Sequence, residues 1–429
     1  MHHPSEAPLY NLKVVLRETG IQADTLRAWE RRYGLPSPER SEGGHRLYSQ
    51  RDIEMVKWLL ARQAEGMSIS RAVALWNQMV DTGESPLETL PNALPVRGPD
   101  EQLVALRESW IDACHAFDER LAEEILSEAF TLYRPEVVCT SLLLTGMSAI
   151  GEQWYEGQAT VQQEHFASEL FMRRLHALIA AAPSPGRERI LVTAPPEEEH
   201  DTVLLLLVLM LRRRGWDVTY LGANVPLEDL KAAIEKAAPR LVVTAAQRLC
   251  TAARLPEMAE TLREMELSLA FGGGIFTQIP QLVGRIPGYF LGDSIDGAPD
   301  RTESLLRSDL VPPPALRVSV EAGEALQNFT GQVPLIEAAV WQALGSEVPN
   351  RFLSMANLNM ARNIEASLRL GDMALLDPEI SWTRRLLSHY GVPDDSLEAY
   401  LVAYYHAVQQ HLDSRGALLR AWFESRVAF

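Results

Sequence analysis

The residues best suited to chemistry lie in a short loop, Pro195–Asp201, which reads Pro-Pro-Glu-Glu-Glu-His-Asp. The loop follows an apolar run rich in β-branched residues, Ile190–Ala194, and precedes a long apolar stretch, Thr202–Leu211. The first run predicts a buried parallel strand, and the second predicts a helix packed against a sheet. Ligands of open parallel sheets bind in loops of this kind, at the carboxyl ends of the strands.

His200 is the candidate ligand in this loop. A neutral imidazole can coordinate a metal ion, and a nearby carboxylate can fix its tautomer and raise its basicity. Glu198 has a spacing that allows this contact. The same pattern also fits an acidic surface loop with a solvated histidine, and the loop alone does not decide between the two.

Composition predicts a multidomain globular protein, because 429 residues suffice for two to four domains. The longest apolar run, Val203–Leu211, is too short to span a bilayer, and Met1–Tyr10 lacks the apolar region of a signal peptide. Cys114, Cys139 and Cys250 show no metal-binding spacing. They are expected to be small buried side chains in a reducing cytoplasm, and no membrane association is expected.

Charge is unevenly distributed along the chain. The net charge of −17 argues against a general nucleic-acid binder. Residues 1–80, however, carry 11 Lys and Arg against 9 Asp and Glu, whereas the remaining residues carry 29 against 48. A slightly basic end on an acidic body suggests a DNA-reading head on a regulatory body.

The basic end has the pattern of a winged helix-turn-helix. A short helix over Tyr10–Thr19 ends at Gly20, and a second helix over Thr25–Tyr33 carries arginines that can enter a major groove. Residues 41–48 predict a β-turn wing whose side chains reach phosphates. The candidate DNA contacts are Arg27, Arg31, Arg32, Arg40, His45, Arg46 and Tyr48.

Two linked motifs make this assignment specific: Trp29-Glu-Arg-Arg-Tyr-Gly-Leu-x-x-Pro-x-Arg40, then Gly44-His-Arg-x-Tyr48. They resemble the MerR family of winged-helix transcription factors over residues 8–80. Members bind palindromic operators as dimers, so the resemblance implies double-stranded operator DNA as a partner and a homo-oligomer, either dimer or tetramer. The cysteines that MerR metal sensors carry in their dimerisation helix do not occur here, so metal sensing of that type is not expected.

The next segments are a linker and a helical region. Residues 81–100 contain four prolines and two glycines, which predicts a flexible linker. Helical periodicity over 101–185 predicts a four-helix bundle, with its last helix over His165–Ala181. In this bundle Trp154 is followed ten residues later by Glu164-His165. The alternative to a functional site is that Trp154 packs in the core of the bundle and that Glu164 and His165 are ordinary residues on a helix surface.

That spacing resembles the cap bundle of CarH-type cobalamin photoreceptors and of methionine-synthase-like corrinoid modules. The resemblance implies that Trp154, Glu164 and His165 line the pocket of the cobalt's upper ligand. Some light-sensing members carry a histidine directly after this tryptophan, and the residue here is Tyr155.

Residues 187–307 alternate strand and helix patterns, which predicts a five-stranded parallel, doubly wound sheet. No GxGxxG motif follows the first strand, so NAD binding is disfavoured. The expected strands are Ile190–Ala194, Asp217–Leu221, Leu241–Ala245, Ser268–Phe271 and Gly288–Leu291. The expected helices lie near Thr202–Arg214, Leu227–Lys236, Ala252–Met265 and Asp296–Leu306.

Four motifs in this domain resemble the cobalamin-binding, flavodoxin-like fold. They are Glu198-x-His200-x-x-Val203, Leu221-Gly222-Ala-Asn224-Val-Pro226, Thr244 at the third strand's end, and Gly272-Gly273-x-x-Phe276. The family has glycine at the position of Val203. The resemblance implies that His200 is the lower ligand of cobalt and that Glu198 supports it. The other implied cofactor contacts are Gly222, Asn224, Thr244, Gly272 and Gly273. The alternative is that the glycines serve only the turns in which they lie and that the Thr244 hydroxyl only caps the backbone at the end of its strand.

The last part of the chain, residues 319–429, predicts an aromatic-rich all-α domain after the stiff linker around Pro312–Pro314. The expected helices lie near Val320–Gln332, Leu335–Leu344, Phe352–Leu370, Pro378–His389, Leu397–Ser414 and Gly416–Val427. Its layout is similar to the C-terminal bilin-binding domain of photocobilins. That resemblance implies biliverdin as a ligand, held non-covalently because the domain has no cysteine. The alternative is a helical core with a dimerisation surface.

These resemblances predict a non-enzymatic, light-responsive transcriptional regulator with adenosylcobalamin held between bundle and α/β domain. One alternative is a corrinoid protein that carries methyl groups. Another is a regulator that has lost cobalamin and senses a bilin or a protein partner through its C-terminal domain; Val203 and Tyr155 favour this one.

Overall fold

A computed structural model describes residues 8–21, 23–40, 44, 46–64, 69–81, 100–182, 188–228, 230–345, 350–389 and 392–426. It divides the chain into two compact units, Met1–Gly146 and Met147–Phe429. Most of the predicted linker, residues 82–99, lies outside the described residues.

The first unit begins with a winged helix-turn-helix. Its elements are β1 (Tyr10–Asn11), α1 (Leu12–Thr19), α2 (Ala23–Tyr33), β2 (Glu39–Arg40), β3 (Arg46–Tyr48), α3 (Gln50–Ala64) and α4 (Ile69–Asp81). Strand β3 pairs antiparallel with both β1 and β2. The prediction of a helix from Tyr10 is therefore wrong at its start: Tyr10 and Asn11 form a strand. The Asn11 side chain accepts a hydrogen bond from the Val14 N–H and caps α1, and Gly20, in the left-handed conformation, ends it.

The rest of the first unit is helical. It holds α5 (Glu101–His115), α6 (Glu119–Leu132), α7 (Pro135–Val137), a π-helical segment (Val138–Leu144) and the start of α8 (Thr145–Tyr155). Asp100 and Asp118 cap α5 and α6 through their carboxylates. Trp110 is fully buried, and a Cβ at Gly146 would lie 3.1 Å from its ring, so a side chain there would require the ring to shift by a few tenths of an ångström.

The second unit contains most of α8, followed by α9 (Val161–Ala181). Thr160 and Gln163 form a reciprocal capping box at the start of α9. The helix therefore begins four residues before the predicted start at His165, and Glu164 and His165 lie in its first turn.

A five-stranded parallel sheet forms the centre of the second unit. Its strands are β4 (Arg189–Val192), β5 (Asp217–Tyr220), β6 (Leu241–Ala245), β7 (Leu269–Gly272) and β8 (Tyr289–Phe290). The spatial order is β5-β4-β6-β7-β8: the chain runs from β4 outward to β5, then crosses back past β4 to β6 and continues to β8. This reversal between β4 and β6 is where a doubly wound sheet opens a crevice for ligands.

Helices alternate with these strands. They are α10 (Thr202–Arg213), α11 (Leu230–Ala237), α12 (Leu249–Ala252), α13 (Leu255–Arg263), α14 (Gly274–Gln278) and α15 (Ala298–Arg307). Leu191, Val242 and Phe271 pack in one core with α11–α14, and α10 contacts α15. The prediction of a single helix over Ala252–Met265 is wrong, because the chain breaks between α12 and α13.

The C-terminal region is all-α, as predicted. Its helices are α16 (Val320–Leu344), α17 (Asn350–Arg369), α18 (Leu376–His389), α19 (Asp394–His411) and α20 (Ala417–Glu424). The predicted break between Gln332 and Leu335 does not occur, because Pro334 lies inside α16. Ala366 and Leu370 of the α17 end are buried in the same core as the sheet domain, so the C-terminal helices pack directly on that domain.

None of the described helices combines the length and apolarity required to cross a membrane. Two of the three cysteines, Cys114 and Cys139, are buried as expected, whereas Cys250 is half-buried.

Candidate cofactor site and nucleic-acid interface

The loop after β4 places Glu198 and His200 at the topological reversal of the sheet. The Nδ1 atom of His200 lies 2.9 Å from Oε1 of Glu198, so the predicted contact is present. Glu198 is fully buried, whereas the His200 side chain is 67% exposed. With Nδ1 engaged, Nε2 is the ring nitrogen that remains to bind a metal ion from the open side.

Glu198 is held by partners that the sequence reading did not identify. Its Oε2 accepts hydrogen bonds from Thr251 Oγ1 at 2.6 Å and from the Gln247 N–H at 2.7 Å. The His200 N–H also donates to Oε1, at 3.1 Å. Thr251 and Gln247 lie about fifty residues away in the sequence, and only the neighbouring positions of β4 and β6 bring them to this carboxylate.

These contacts decide the charge of the pair. Burial alone would raise the pKa of Glu198, but hydrogen bonds from His200, Thr251 and the Gln247 backbone hold it at about 2. The hydrogen bond to Glu198 raises the pKa of His200 above its usual value, against the opposing effect of burial. An ionised carboxylate therefore faces an imidazole of increased basicity, which suits a histidine that ligates a metal ion.

Thr251→Val should destabilise the protein by about 2 kcal/mol at neutral pH, since it removes a hydrogen bond to a buried carboxylate. A carboxyl group whose folded-state pKa is depressed stabilises the fold above its unfolded pKa and loses this effect as pH falls toward the folded value. The difference between wild type and variant should therefore narrow as pH falls from 4.5 toward 2. Urea denaturation at a series of pH values measures it.

Thr244→Val is the matched control, because the Thr244 hydroxyl is buried yet makes no hydrogen bond within the described part of the chain. We expect it to change stability by less than about 1 kcal/mol. Equal losses in both variants would contradict the assigned role of Thr251.

The predicted cofactor contacts at the sheet's carboxyl edge form an open cradle. A Cβ at Gly222 or Gly272 would have no neighbouring atom within 4 Å among the residues that the structure describes. Gly273 has φ of +118°, and a Cβ there would lie 2.0 Å from the Ala246 carbonyl oxygen. The Thr244 hydroxyl, near the end of β6, has no hydrogen-bond partner in the described part of the chain. Open space beside glycines, together with such a buried hydroxyl, fits a bulky ligand with polar groups.

Asn224 lies close to the loop that carries His200 and is hydrogen-bonded to it. Its Oδ1 accepts a hydrogen bond from the Glu197 N–H at 2.7 Å, and its own N–H donates to the Glu198 carbonyl at 2.8 Å. Asn224 therefore joins the loops after β4 and β5, and a contact with a cofactor remains a prediction.

The residues predicted to face the upper ligand lie around the end of α8 and the start of α9. Trp154 is 37% exposed, and the His165 side chain is 74% exposed, with Nε2 at 3.7 Å from Glu164. Helix α9 packs on α10, where the Thr202 hydroxyl contacts the Met172 sulfur at 3.5 Å. His165 precedes Met172 by two helical turns, about 10 Å along the axis.

In the helix-turn-helix, Arg31 and Arg32 of α2 and Arg40 of β2 are exposed, and Arg27 is half-buried. Arg46 forms an ion pair with Glu30 at 3.0 Å. The predicted phosphate contact of Tyr48 is corrected: its side chain is fully buried, and its hydroxyl donates to Glu30 at 2.6 Å. His45 lies outside the described residues.

A polar contact joins this head to the helices that follow within the first unit. Arg134, just after α6, forms an ion pair with Glu18 of α1 at 2.8 Å and donates to Gln50 of α3. Arg17 lies over the Tyr133 ring. The contact uses α1 and α3, so Arg31 and Arg32 on α2 stay exposed.

Three family models match the chain. A MerR HTH family regulatory protein model matches residues 10–78, and two B12 binding domain models match residues 106–179 and 188–293. The three matches follow one another along the chain and include the helix-turn-helix, the helices α5–α9 and the parallel sheet.

Two curated relatives come from Myxococcus xanthus. The HTH-type transcriptional repressor CarH is 34% identical over 54% of this chain and 77% of its own length. The HTH-type transcriptional repressor CarA is 35% identical over 57% of this chain and 78% of its own length. A solved monomethylamine corrinoid protein from Methanosarcina barkeri is 17% identical, with a TM-score of 0.39 over 48% of this chain and 99% of its own, which is too low to support a functional conclusion. The two CarH-type matches, in contrast, include most of each relative, and the chain therefore belongs to the MerR-family transcriptional regulators that carry B12-binding domains.

Proposed function

We propose that the chain is a light-responsive transcriptional regulator that uses adenosylcobalamin as its sensor and acts as a homodimer or homotetramer on operator DNA. The observation that carries this proposal is the Glu198–His200 pair, which presents a basic imidazole beside an open cradle of glycines. Family membership supports the DNA-binding and cobalamin parts of the proposal. The adenosyl form, the response to light and the oligomeric state are inferred from the resemblance to CarH.

In this proposal each residue of the site has a distinct task. His200 would bind the cobalt through Nε2, and Glu198 fixes the imidazole through Nδ1. The Thr244 hydroxyl and the space beside Gly222 and Gly272 would receive the nucleotide tail. Trp154, Glu164 and His165 would line the pocket of the second cobalt ligand. When bound, adenosylcobalamin supplies a weak cobalt–carbon bond that light can break.

To alter DNA binding, a change in the packing of α8 and α9 would have to be transmitted to the head. Within the first unit, the Arg134–Glu18 and Arg17–Tyr133 contacts connect the C-terminal end of α6 directly to α1 of the head. By linkage, the sensor can alter DNA binding only to the extent that its dark and light states differ in affinity for DNA.

The test loads the full chain with adenosylcobalamin in the dark, then records its absorption spectrum and its binding to promoter DNA before and after illumination. We expect corrinoid bands that change with light, together with a change in DNA affinity. His200→Ala should alter the bound-corrinoid spectrum, because it removes the lower ligand. An unchanged spectrum in this variant would refute the role of His200, and failure to bind cobalamin would refute the sensor.

A second candidate function is a regulator that has lost cobalamin and senses biliverdin or a protein partner. Val203 in the first turn of α10 is half-buried where the family has glycine. The C-terminal core also holds buried polar atoms without a hydrogen-bond partner among the described residues: Asn328 Oδ1, Asn357 Nδ2 and Tyr404 Oη. Unsatisfied buried groups of this kind favour a bound ligand or ordered water.

Incubation with biliverdin distinguishes the cobalamin sensor from the bilin sensor, since a bound bilin gives a red absorption band that cobalamin does not.

A corrinoid protein that carries methyl groups is the third candidate function. It predicts methyl transfer to or from the bound cobalamin when a methyltransferase is added, whereas a regulator predicts none.

A further inference from the structure

The C-terminal helical domain reaches the loop that carries the cobalt ligand. Helix α17 packs on α12, the short helix that supplies Thr251. Ala366 and Leu370 at the end of α17 are buried with α12 residues in the core of the sheet domain. Arg362 lies one helical turn before Ala366, so both side chains are on the same face of the helix.

Arg362 contacts the residue that begins the turn toward His200. Its Nε lies 3.7 Å from Oε2 of Glu197, the residue directly before Glu198. The other carboxylate oxygen of Glu197 is bound by Arg254 at the start of α13. Arg248 donates to the carbonyl oxygen of the same residue. Three arginines from three separate segments therefore hold Glu197.

The backbone at Glu197 explains why it needs support. Its φ is +66°, a left-handed conformation that costs a residue with a side chain roughly 1–3 kcal/mol. Such a conformation persists only where the surroundings enforce it. The Glu197 N–H also donates to Asn224, so the turn is held on its backbone and side chain alike.

We propose that Arg362 is a positioning residue through which the C-terminal domain holds the Glu197–His200 turn, and thereby sets how firmly His200 is presented to the corrinoid. The inference rests on the proposed function of His200. A movement of α17 withdraws the Arg362 guanidinium, leaves Glu197 with two arginines, and loosens the turn. The C-terminal domain thus becomes a second input to the cobalt site, acting through the Glu197 turn.

A second ion pair between the same two domains provides a matched control. Arg285, in the sheet domain, forms an ion pair with Asp372 at 2.9 Å and donates to the Leu370 carbonyl. Leu370 is eight residues from Arg362, about 12 Å along the helix axis. Loss of Arg285 therefore removes an ion pair between the same two domains without removing a contact to the Glu197 turn.

The first experiment is hydrogen exchange on the full chain without cofactor. The amides of Glu197, Glu198 and His200 donate to Asn224, Pro195 and the Glu198 carboxylate, so each reports on the turn. In Arg362→Ala these amides should exchange about threefold to fivefold faster, the range expected from a partly exposed ion pair. They should be unchanged in Arg285→Ala. Unchanged exchange in Arg362→Ala, or equal acceleration in both variants, would overturn the proposal.

The second experiment uses hydroxocobalamin as the probe. Arg362→Ala should weaken its binding about threefold and increase the fraction of bound corrinoid that lacks the histidine ligand, as read from the absorption spectrum. Arg362→Lys keeps the charge and should restore most of the binding, which a packing defect alone would not produce. Failure of the proposed function shows separately, as a His200→Ala protein with an unaltered corrinoid spectrum.

Discussion

An alanine at position 273 should destabilise the cofactor-free protein strongly, whereas an alanine at position 272 should not. The two glycines are adjacent, at the end of β7, but their surroundings differ. A Cβ at Gly273 would lie 2.0 Å from the Ala246 carbonyl oxygen, and its φ of +118° is strained for any residue with a side chain. We expect Gly273→Ala to lower the free energy of unfolding by about 3 kcal/mol or more.

Gly272→Ala should act on the ligand alone. The added methyl group would meet no atom of the described residues within 4 Å, so stability should stay within about 1 kcal/mol of wild type, or rise slightly because alanine restricts the unfolded chain. If the open space beside Gly272 is the place of the corrinoid tail, the methyl group should weaken cobalamin binding by roughly tenfold, which corresponds to about 1.4 kcal/mol.

Thermal denaturation of the two cofactor-free variants and titration of the stable one with cobalamin measure both effects. A Gly272→Ala protein as unstable as Gly273→Ala would show that this space is not open. A stable Gly272→Ala protein that binds cobalamin as tightly as wild type would place the cofactor elsewhere.

The strands of the sheet domain were predictable because each is a short, buried apolar run. The Leu241–Ala245 strand was predicted at its observed ends, and the others within one or two residues. Parallel strands are covered on both faces, so apolarity alone marks them. The same reasoning failed at α12 and α13, because Pro256 has no N–H and begins a new helix more readily than it continues one.

Pro334 produced the opposite error. A proline predicts a break, but α16 continues through it. Helix α16 is packed against α17 and α19 along its length, with Phe329 and Ile336 buried on either side of the proline. That packing outweighs the lost backbone hydrogen bond, and no local pattern in the sequence reports it.

In the candidate site, too, some residues could be predicted from the sequence and others could not. Glu198 and His200 are two residues apart, so the sequence could place them together. Thr251, Arg362 and Asn224 reach the same loop only through strand order and domain packing. Tyr48 was misplaced for a related reason: the motif marks it as important, but only the packing of β3 under α2 shows that it binds Glu30 inside the fold.

The arginines of α2 should account for much of the affinity for DNA. Arg31 and Arg32 are exposed on the predicted recognition helix, on a chain whose net charge is −17. Because most of the protein repels DNA, binding must come from a few local cations. We expect the double variant Arg31→Ala, Arg32→Ala to lose at least about tenfold in affinity for duplex DNA.

Salt dependence distinguishes loss of DNA contacts from misfolding. Each phosphate contact that is removed should lower the slope of log affinity against log salt concentration by about one, so the double variant should lose one to two units. The measurement is fluorescence anisotropy with a random-sequence duplex at several salt concentrations. A random duplex suffices because contacts to the phosphate backbone do not depend on base sequence.

Lys13→Ala is the matched control for charge. Lys13 is exposed on α1, outside the recognition helix, so its loss should leave both affinity and salt slope almost unchanged. If Lys13→Ala weakened binding as much as the α2 variant, the contribution of Arg31 and Arg32 would be one of general charge. Their place on α2 would then give no support to a helix that enters the major groove. A selective loss in the α2 variant would support that helix as the DNA-reading element, which the head presents while α1 and α3 stay bound to Arg134.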